Sequence, residues 1–137
     1  MSNSADEYDG AMIVFASYWT ITGSAFAPGR HNMKSPEVTH ACEYETSMML
    51  TAHEELVHLE DAKAGPPVID SPFYHSERGG RVSLASRFHR LTTTGAMGQP
   101  ELATREKGES LITAAAEEVA AFIEDFLTWT QPKVLKK

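Results

Sequence analysis

Cysteine is almost absent from this 137-residue chain, in which Cys42 is the single one. One cysteine excludes an intrachain disulfide framework and a zinc site built from several thiolates. Long apolar runs are also missing, and none approaches the roughly 20 residues that a membrane-spanning helix needs. The first ten residues are polar and acidic, and they lack the basic start and apolar stretch of a secretion signal. We therefore expect a cytoplasmic protein that has no membrane partner.

Positive charge is scarce as well. Lysine and arginine number 12 against 19 aspartates and glutamates, which gives a formal net charge of −7. Such a surface repels a phosphate backbone, so no nucleic-acid partner is expected. Hydrophobic residues make up 42% and charged residues 23% of the chain, as in an ordinary globular protein, and the length fits one domain.

Two motifs that commonly mark catalytic sites are incomplete. Residues 94–98 contain two glycines, but no Lys-Ser or Lys-Thr follows them, so a turn is a better interpretation than a phosphate-binding loop. His53 and His58 enclose two glutamates, as in zinc proteases, but they are five residues apart instead of four. Five residues leave two side chains roughly 140° apart around a helix. We therefore interpret this stretch as a solvated helix end.

The first half of the chain is predicted to contain a strand, a long loop and a helix. Residues 1–10 carry little to bury and are expected to be a disordered lead-in. Residues 11–18 form an apolar run that predicts a strand covered on both faces, with a helix as the competing assignment. Residues 20–38 contain two glycines, two prolines and no periodicity, so we expect a binding loop or lid. A helix should begin near Thr39, which can cap it, or His40, and should run with a break to about residue 59.

The second half is dominated by one amphipathic helix. Residues 63–80 have the glycines and prolines of a loop, and residues 81–91 alternate loosely, which favours an extended segment. After Pro100, apolar residues recur every three or four positions, which predicts a helix over residues 101–128 that Gly108 could interrupt. A short basic tail follows at residues 132–137, and the folded part should span residues 11–131.

The residues with the most chemistry lie at the predicted start of the first helix. Residues 40–47 place one histidine, two carboxylates and two aliphatic hydroxyls directly after the long loop. Histidine titrates near neutral pH, so His40 can transfer protons. Glu45 is five residues further on and would face away from His40 on a regular helix, although it could orient the backbone. On these grounds alone, a structural role for His40 is roughly three times as common as a catalytic one.

The same residues resemble a family signature. Residues 40–47, His-Ala-Cys-Glu-Tyr-Glu-Thr-Ser, are similar to the His-Ala-Gly-Glu-x-Glu-Thr-Ser motif of the creatininase family. Residues 94–100 and 103–108, the latter Ala-Thr-Arg-Glu-Lys-Gly, resemble a second family block of Gly-x-x-Gly-Asp-Pro followed by Ala-Thr and Glu-Lys-Gly. Residues 17–19, Ser-Tyr-Trp, resemble a family strand end. The resemblance spans about residues 11–126, and two blocks at the right separation make it specific.

This resemblance implies a fold and a chemistry. The fold would be α/β, the C-terminal half of a creatininase-like three-layer α/β/α domain. The reaction would be hydrolysis of an amide-type C–N bond with a divalent metal (zinc, manganese or iron), whose bound hydroxide attacks the carbonyl. The family histidine that matches His40 assists proton transfer at the substrate, so we expect His40 to do so here. We expect Glu45, the second predicted catalytic residue, to support it by holding the helix start and neighbouring groups in place. Trp19, Pro36 and Glu37 are expected to contact a small-molecule amide beneath the 20–38 loop.

The family's metal ligands have no counterpart in this sequence. They come from a Glu-x-His and an Asp near the N-terminus and from a Gly-His-Gly-Gly-Asn-like segment, and this chain contains neither Glu-x-His nor Gly-His. We therefore expect no metal ligand in this chain, and a second chain that carries the missing half and binds the metal. Two smaller departures occur. Cys42 replaces the signature glycine, and Pro36 stands where creatininase carries a substrate-covering tryptophan, which puts creatinine as the substrate in doubt.

The leading prediction is a subunit of a metal-dependent amidohydrolase that is active in a higher hetero-oligomer. The strand count points the same way, because one or two strands are too few for an independent sheet. The start Met-Ser-Asn-Ser looks natural and favours a separate chain, and a truncated piece of a longer enzyme stays open as a third possibility. The alternative is a non-catalytic structural or regulatory subunit that completes the fold of a partner enzyme.

Overall fold

The computed structural model describes residues 12–35, 38–63, 69, 71–74, 82 and 84–130. Within these ranges the chain forms three α-helices: α1 (Tyr18–Ile21), α2 (Glu43–Ala52) and α3 (Arg105–Phe126). Short 3-10 turns occur at Arg30–Asn32, Glu54–Leu56, Leu59–Asp61, Phe88–Arg90 and Pro100–Leu102. No strand is present among the residues described, so the secondary structure does not confirm the predicted α/β class. None of the described helices is long and apolar enough to cross a membrane.

Helix α3 begins where a side chain can cap it. The Thr104 hydroxyl accepts a hydrogen bond from the Lys107 amide at 3.4 Å, which satisfies one of the free donors of the first turn. The helix predicted over residues 101–128 is therefore confirmed in type, with a later start. Pro100 opens a separate 3-10 turn, and the α-helix begins at Arg105.

Helices α2 and α3 pack directly against each other, and a glycine permits their approach. A Cβ atom at Gly108 would collide with the backbone carbonyl of Ser47 and with the hydroxyl of Thr51. The Thr51 hydroxyl donates a hydrogen bond to the Arg105 carbonyl at 3.0 Å across the same contact. Because α3 continues through Gly108 without a break, the interruption considered there is wrong, and the glycine serves close helix contact instead.

The core lies between α2, α3 and the segment that precedes α2. Its buried members are Ala25, Phe26, Met33, Cys42, Tyr44, Leu111 and Ala115. The first three belong to the 20–38 loop, which was predicted as a binding loop or lid from its lack of periodicity. Part of that loop is therefore core, because irregular backbone can bury apolar side chains as well as a helix can. Other residues of the described loop, among them Ser24, Gly29 and Lys34, are exposed. Pro36 and Glu37 lie outside the described residues.

The apolar run before α1 forms no strand. Residues 12–17 have no ladder partner in the described ranges, and α1 begins directly after them. Ile13 is 62% exposed and Phe15 is 100% exposed, so the predicted cover on both faces is not found among these residues. An apolar run cannot supply its own neighbours. A strand needs a second strand for its backbone hydrogen bonds and further layers for its side chains.

Two other expectations have clear outcomes. The helix predicted to run with a break to about residue 59 ends earlier, at Ala52, and two 3-10 turns follow it. Residues 81–91 were predicted as extended; their described part, residues 82 and 84–91, contains the 3-10 turn Phe88–Arg90 and no strand. The predicted lead-in at residues 1–10, the tail at 132–137 and most of the 63–80 loop lie outside the described residues.

Replacing Gly108 with alanine should destabilise the protein. Alanine favours a helix by about 1 kcal/mol over glycine, but here its methyl group would push against the Ser47 backbone, which cannot move aside as a flexible side chain could. We expect a net loss of roughly 1–3 kcal/mol in the free energy of unfolding, measured by urea denaturation of the native assembly. Gly23→Ala is the matched control, because the nearest atom to its added Cβ would be at an ordinary 3.4 Å. Equal stability of the two variants would contradict the packing argument.

Candidate active site

The turn that leads into α2 carries two of the predicted site residues, His40 and Glu45. The helix begins one residue after Cys42, its N-cap, whose side chain makes no capping hydrogen bond. Glu45 supplies the missing contact, since its carboxylate accepts a hydrogen bond from the Ala41 amide at 2.6 Å. The predicted cap at Thr39 is wrong, because the helix starts later and a glutamate bonds its entrance instead.

The backbone of this turn adopts an uncommon conformation. Ala41 has a φ of 47°, in the left-handed region that few non-glycine residues occupy. Cys42, at the position of the signature glycine, has a φ of −93° and a ψ of −177°, which any residue can adopt. Its side chain is fully buried, and a Cβ added to Gly98 would collide with it. The cysteine is therefore tolerated because the strained conformation falls one residue earlier.

His40 has a fixed backbone and an exposed ring. Its carbonyl accepts a hydrogen bond from the Met97 amide at 2.9 Å. Its imidazole meets the ring of Phe88 edge to face, with 4.5 Å between centroids. No described residue hydrogen bonds to the two ring nitrogens, which leaves them open to a ligand.

An open cavity of about 420 Å³ lies beside this ring. Its polar lining comprises His40, Glu45, Thr46, His58, Asp61, Lys63 and Thr94. Its larger apolar side chains are Met49, Leu56, Val57 and Pro100. His40 and Glu45 thus share one cavity, although a regular helix would have pointed them apart. They meet because His40 precedes the helix, so helical spacing does not govern its direction.

His58 is a cavity residue that the sequence did not indicate. Its ring is exposed, and its Nδ1 lies 3.3 Å from the Glu60 carboxylate, as expected for a solvated position. Helix α2 ends at Ala52, so His53 and His58 share no helical face, in line with the rejection of the zinc-protease motif. The turns after α2 bring His58 to the cavity wall, and its spacing in the sequence gives no sign of this.

Neither Tyr18 nor Trp19 of helix α1 lines the cavity. The Trp19 ring packs edge to face on Phe26, with 5.2 Å between centroids, and it is not among the residues that line the cavity. Burial, with a further contribution from the nearby Glu45 carboxylate, raises the pKa of the Tyr18 hydroxyl above its ordinary value. A contact between Trp19 and a substrate therefore stays a prediction.

The most strongly bonded charge near the site is Glu43, which the sequence indicated only as a first-turn acid. Its carboxylate has no solvent exposure and lies 2.5 Å from the Lys107 ammonium. It also accepts hydrogen bonds from the backbone amides of Ser35 at 2.6 Å and Lys34 at 3.0 and 3.1 Å. Burial alone would raise the pKa of Glu43, but the hydrogen bonds from Lys107, Ser35 and Lys34 outweigh burial and hold the pKa below its ordinary value.

The two signature blocks therefore meet in space. Glu43 and Lys107 belong to the first and second block, and the Ser47 hydroxyl of the first block accepts a hydrogen bond from the Thr104 amide at 3.2 Å. The same hydroxyl donates to the Glu43 carbonyl at 2.6 Å. Lys107 also donates to the Leu102 carbonyl at 2.6 Å, beside the cavity residue Pro100. The two contacts between the blocks join residues 57 and 64 positions apart, and the sequence alone did not predict them.

A divalent metal, which the resemblance implies, does not fit the residues described. No three His, Cys, Asp or Glu side chains converge there in a way that could hold an ion. The two acids nearest the turn are already engaged, Glu43 with Lys107 and Glu45 with the Ala41 amide. A set of three metal ligands would have to include groups outside the described residues.

Comparison with known proteins identifies the family. The family model for Creatininase, described as creatinine amidohydrolase, matches residues 2–123. Because this match covers most of the sequence, the chain belongs to the creatininase family. No curated protein matches the chain.

Solved structures of this family share the fold. A Bacteroides fragilis NCTC 9343 protein assigned as a creatinine amidohydrolase is 26% identical with a TM-score of 0.69, over 95% of this chain and 49% of its own. A creatininase designated Mn is 22% identical with a TM-score of 0.62, over 92% and 48%. A mutant creatininase of Zn-Zn type is 21% identical with a TM-score of 0.63, over 92% and 47%. The chain thus spans about half the length of the structures it matches.

Replacing Lys107 with methionine should destabilise the protein by about 3–5 kcal/mol at pH 7, because Glu43 would stay buried and charged without its cation. Since the folded pKa of Glu43 is lowered, the pair stabilises fully above the ordinary value of 4.5, and this stability is lost as pH falls through the lowered pKa. The difference between wild type and variant should therefore shrink below about pH 4.5 in urea unfolding. Glu54→Gln, which removes the exposed ion pair with Arg105, is the control and should change stability by less than about 1 kcal/mol. A pH-independent difference would contradict the role of this charge pair.

Proposed function

We propose that this chain is a subunit of a creatininase-like amidohydrolase that hydrolyses the C–N bond of a small-molecule amide. The observation that carries the proposal is the family match over residues 2–123, which includes both signature blocks. The cavity supports it, because the first block places His40 at an opening of about 420 Å³, within the range of small-molecule sites.

His40 is proposed to transfer a proton at the leaving nitrogen of the amide. An imidazole can donate and accept protons near neutral pH, and the ring of His40 is exposed in the cavity with both nitrogens unengaged by described residues. Glu45 is proposed as a positioning residue, because its carboxylate is occupied by the Ala41 amide next to His40. It would hold the turn rather than act on the substrate.

The metal is proposed to be divalent, zinc or manganese, and to be held by a second chain. Similar solved proteins are described as Mn and Zn-Zn forms, and the described residues of this chain offer no set of three ligands. The chain also spans about half of each matched structure, so a complementary half is needed for a whole domain of that kind.

The surface at residues 12–15 is proposed as part of the contact with that second chain. Ile13 and Phe15 are largely exposed, and residues 12–17 have no strand partner in the described ranges. Exposed apolar residues on an unpaired backbone favour pairing with another strand. A partner with a free sheet edge would bury these side chains and pair the backbone.

A non-catalytic subunit is the second candidate. The missing ligand set among the described residues favours it, because a chain that completes a partner's fold needs no chemistry of its own. The two candidates differ at His40. A structural subunit would tolerate the loss of an exposed imidazole, whereas a catalytic one would not.

His40→Ala should reduce turnover of the complete assembly by roughly 100-fold or more, as expected for the loss of a general acid–base group. Metal content and assembly should stay unchanged, because the ring is exposed and bonds no described residue. The measurement is steady-state hydrolysis of a panel of small amides, with His53→Ala as the control, since His53 is also exposed but bonds only Glu55. Unchanged turnover in the His40 variant would favour the non-catalytic subunit.

The chain alone should neither bind a catalytic metal tightly nor unfold as a cooperative monomer. The native assembly should instead contain a second chain of similar size, with an obligate interface of more than roughly 2,000 Å². Native mass spectrometry and metal analysis of the assembly and of the isolated, dialysed chain provide the test. A soluble monomer with a cooperative transition, or stoichiometric metal in the isolated chain, would show that the chain is more complete than proposed.

A further inference from the structure

We propose that Glu43 and Lys107 form a positioning pair for the turn that carries His40. The benefit of holding His40 in place rests on the proposed function, whereas the effect of the pair on the turn can be measured without any substrate. Three observations lead to this proposal: the bonds of Glu43 to the chain before His40, the bonds of Lys107 behind the cavity, and the strained backbone between them.

The first observation concerns the chain that leads to His40. The Glu43 carboxylate accepts the amide hydrogens of Lys34 and Ser35, so it fixes the backbone five and six residues before His40. Ser35 is itself buried, which removes water as a competing partner for its amide. Residues 34 and 35 are therefore bonded to the side chain of Glu43, the first residue of α2.

The second observation concerns the 3-10 turn Pro100–Leu102, which reaches the cavity lining through Pro100. The Lys107 ammonium divides its hydrogen bonds between Glu43 at 2.5 Å and the Leu102 carbonyl at 2.6 Å. Leu102 ends the 3-10 turn that begins at Pro100, a residue of the cavity lining. The Lys107 side chain thus links the turn at Pro100 to the Glu43 carboxylate, which in turn bonds residues 34 and 35.

The third observation is the conformation that these flanks enclose. Ala41 lies in the left-handed region with a φ of 47°, and such a residue persists only where its surroundings determine it. The local bonds are the Glu45 contact to the Ala41 amide and the Met97 contact to the His40 carbonyl. Without Glu43 and Lys107, residues 34–35 and the Pro100–Leu102 turn would lose their bonds to this pair. The two local bonds would then have to maintain the strained conformation of Ala41 by themselves.

Stability by itself gives no reason for an ion pair at this place. Apolar residues of similar volume can often replace a buried pair without loss of stability, or with a gain. An apolar pair, however, could not accept the amide hydrogens of Lys34 and Ser35. The distinctive contribution of Glu43 is therefore to accept these backbone hydrogen bonds. A variant that keeps the stability of the protein but removes the acceptor separates this positioning role from a stabilising one.

The experiment compares two double variants of the full chain in its native assembly. In Glu43→Leu/Lys107→Met no acceptor remains, and in Glu43→Gln/Lys107→Met the amide oxygen can still accept from the backbone. Hydrogen exchange at the Ser35 and Ala41 amides and the NMR signals of the histidine-labelled His40 ring are measured. We expect exchange to accelerate about tenfold or more, and the His40 signals to move, in the leucine variant, with substantial rescue in the glutamine variant. The control Glu54→Gln, which cuts an exposed contact between the same two helical regions, should change exchange by less than about twofold.

The outcomes separate the alternatives. Exchange that follows global stability in both double variants, or His40 signals that stay in place in the leucine variant, would overturn the positioning role. If the leucine variant does not fold, Glu43→Met/Lys107→Met replaces it, because methionine has nearly the length of glutamine but offers no oxygen acceptor to the Lys34 and Ser35 amides. Unchanged exchange and unchanged His40 signals in that variant would likewise overturn the positioning role. A positive result together with unchanged turnover in His40→Ala would keep the positioning pair and reject the catalytic proposal.

Discussion

A carboxylate without solvent exposure has to find partners for its charge inside the protein, and Glu43 imposes this requirement on the rest of the structure. It is met from two directions, by the Lys107 ammonium on α3 and by backbone amides at residues 34–35. Helix α3 must therefore approach closely enough for a lysine to reach across, and Gly108 allows that approach because it has no side chain. The core that surrounds these groups is small, so the polar contacts contribute much of the order between its segments.

The family signature gains a physical interpretation from this contact. Its two blocks, at residues 40–47 and 103–108, form opposite sides of one interface rather than two separate sites. Glu43 meets Lys107, Ser47 meets the Thr104 amide, and Gly108 lies over the Ser47 carbonyl. Several signature residues thus hold the blocks together, while His40 remains at the surface of the cavity. A signature residue can therefore serve the site by joining the two blocks, without lining the cavity itself.

The sequence predicted elements that are determined by neighbouring residues, and it missed features that depend on contacts with residues far along the chain. Helix α3 was predictable in type because its apolar spacing lies within the helix itself, whereas its start was misplaced because Pro100 opens a separate 3-10 turn. The start of α2 was misplaced because its entrance is bonded by Glu45 rather than by a cap residue at Thr39. The packing of Phe26 and Met33 could not be predicted, since their segment has no period. The apolar run at residues 12–17 predicted a covered strand, but the described residues supply no strand partner for it, because the cover of a strand depends on other segments.

The candidate site follows from how two nearby acids point. Successive residues of a helix rotate by about 100°, so Glu43 and Glu45 face directions about 200° apart. Glu43 turns inward to Lys107, and Glu45 turns to the cavity and bonds the Ala41 amide. His40 lies just before both, so its backbone is held from the inner and the outer side while its ring stays exposed. An exposed imidazole on a fixed backbone combines access with a defined position, and proton transfer to a bound molecule requires both.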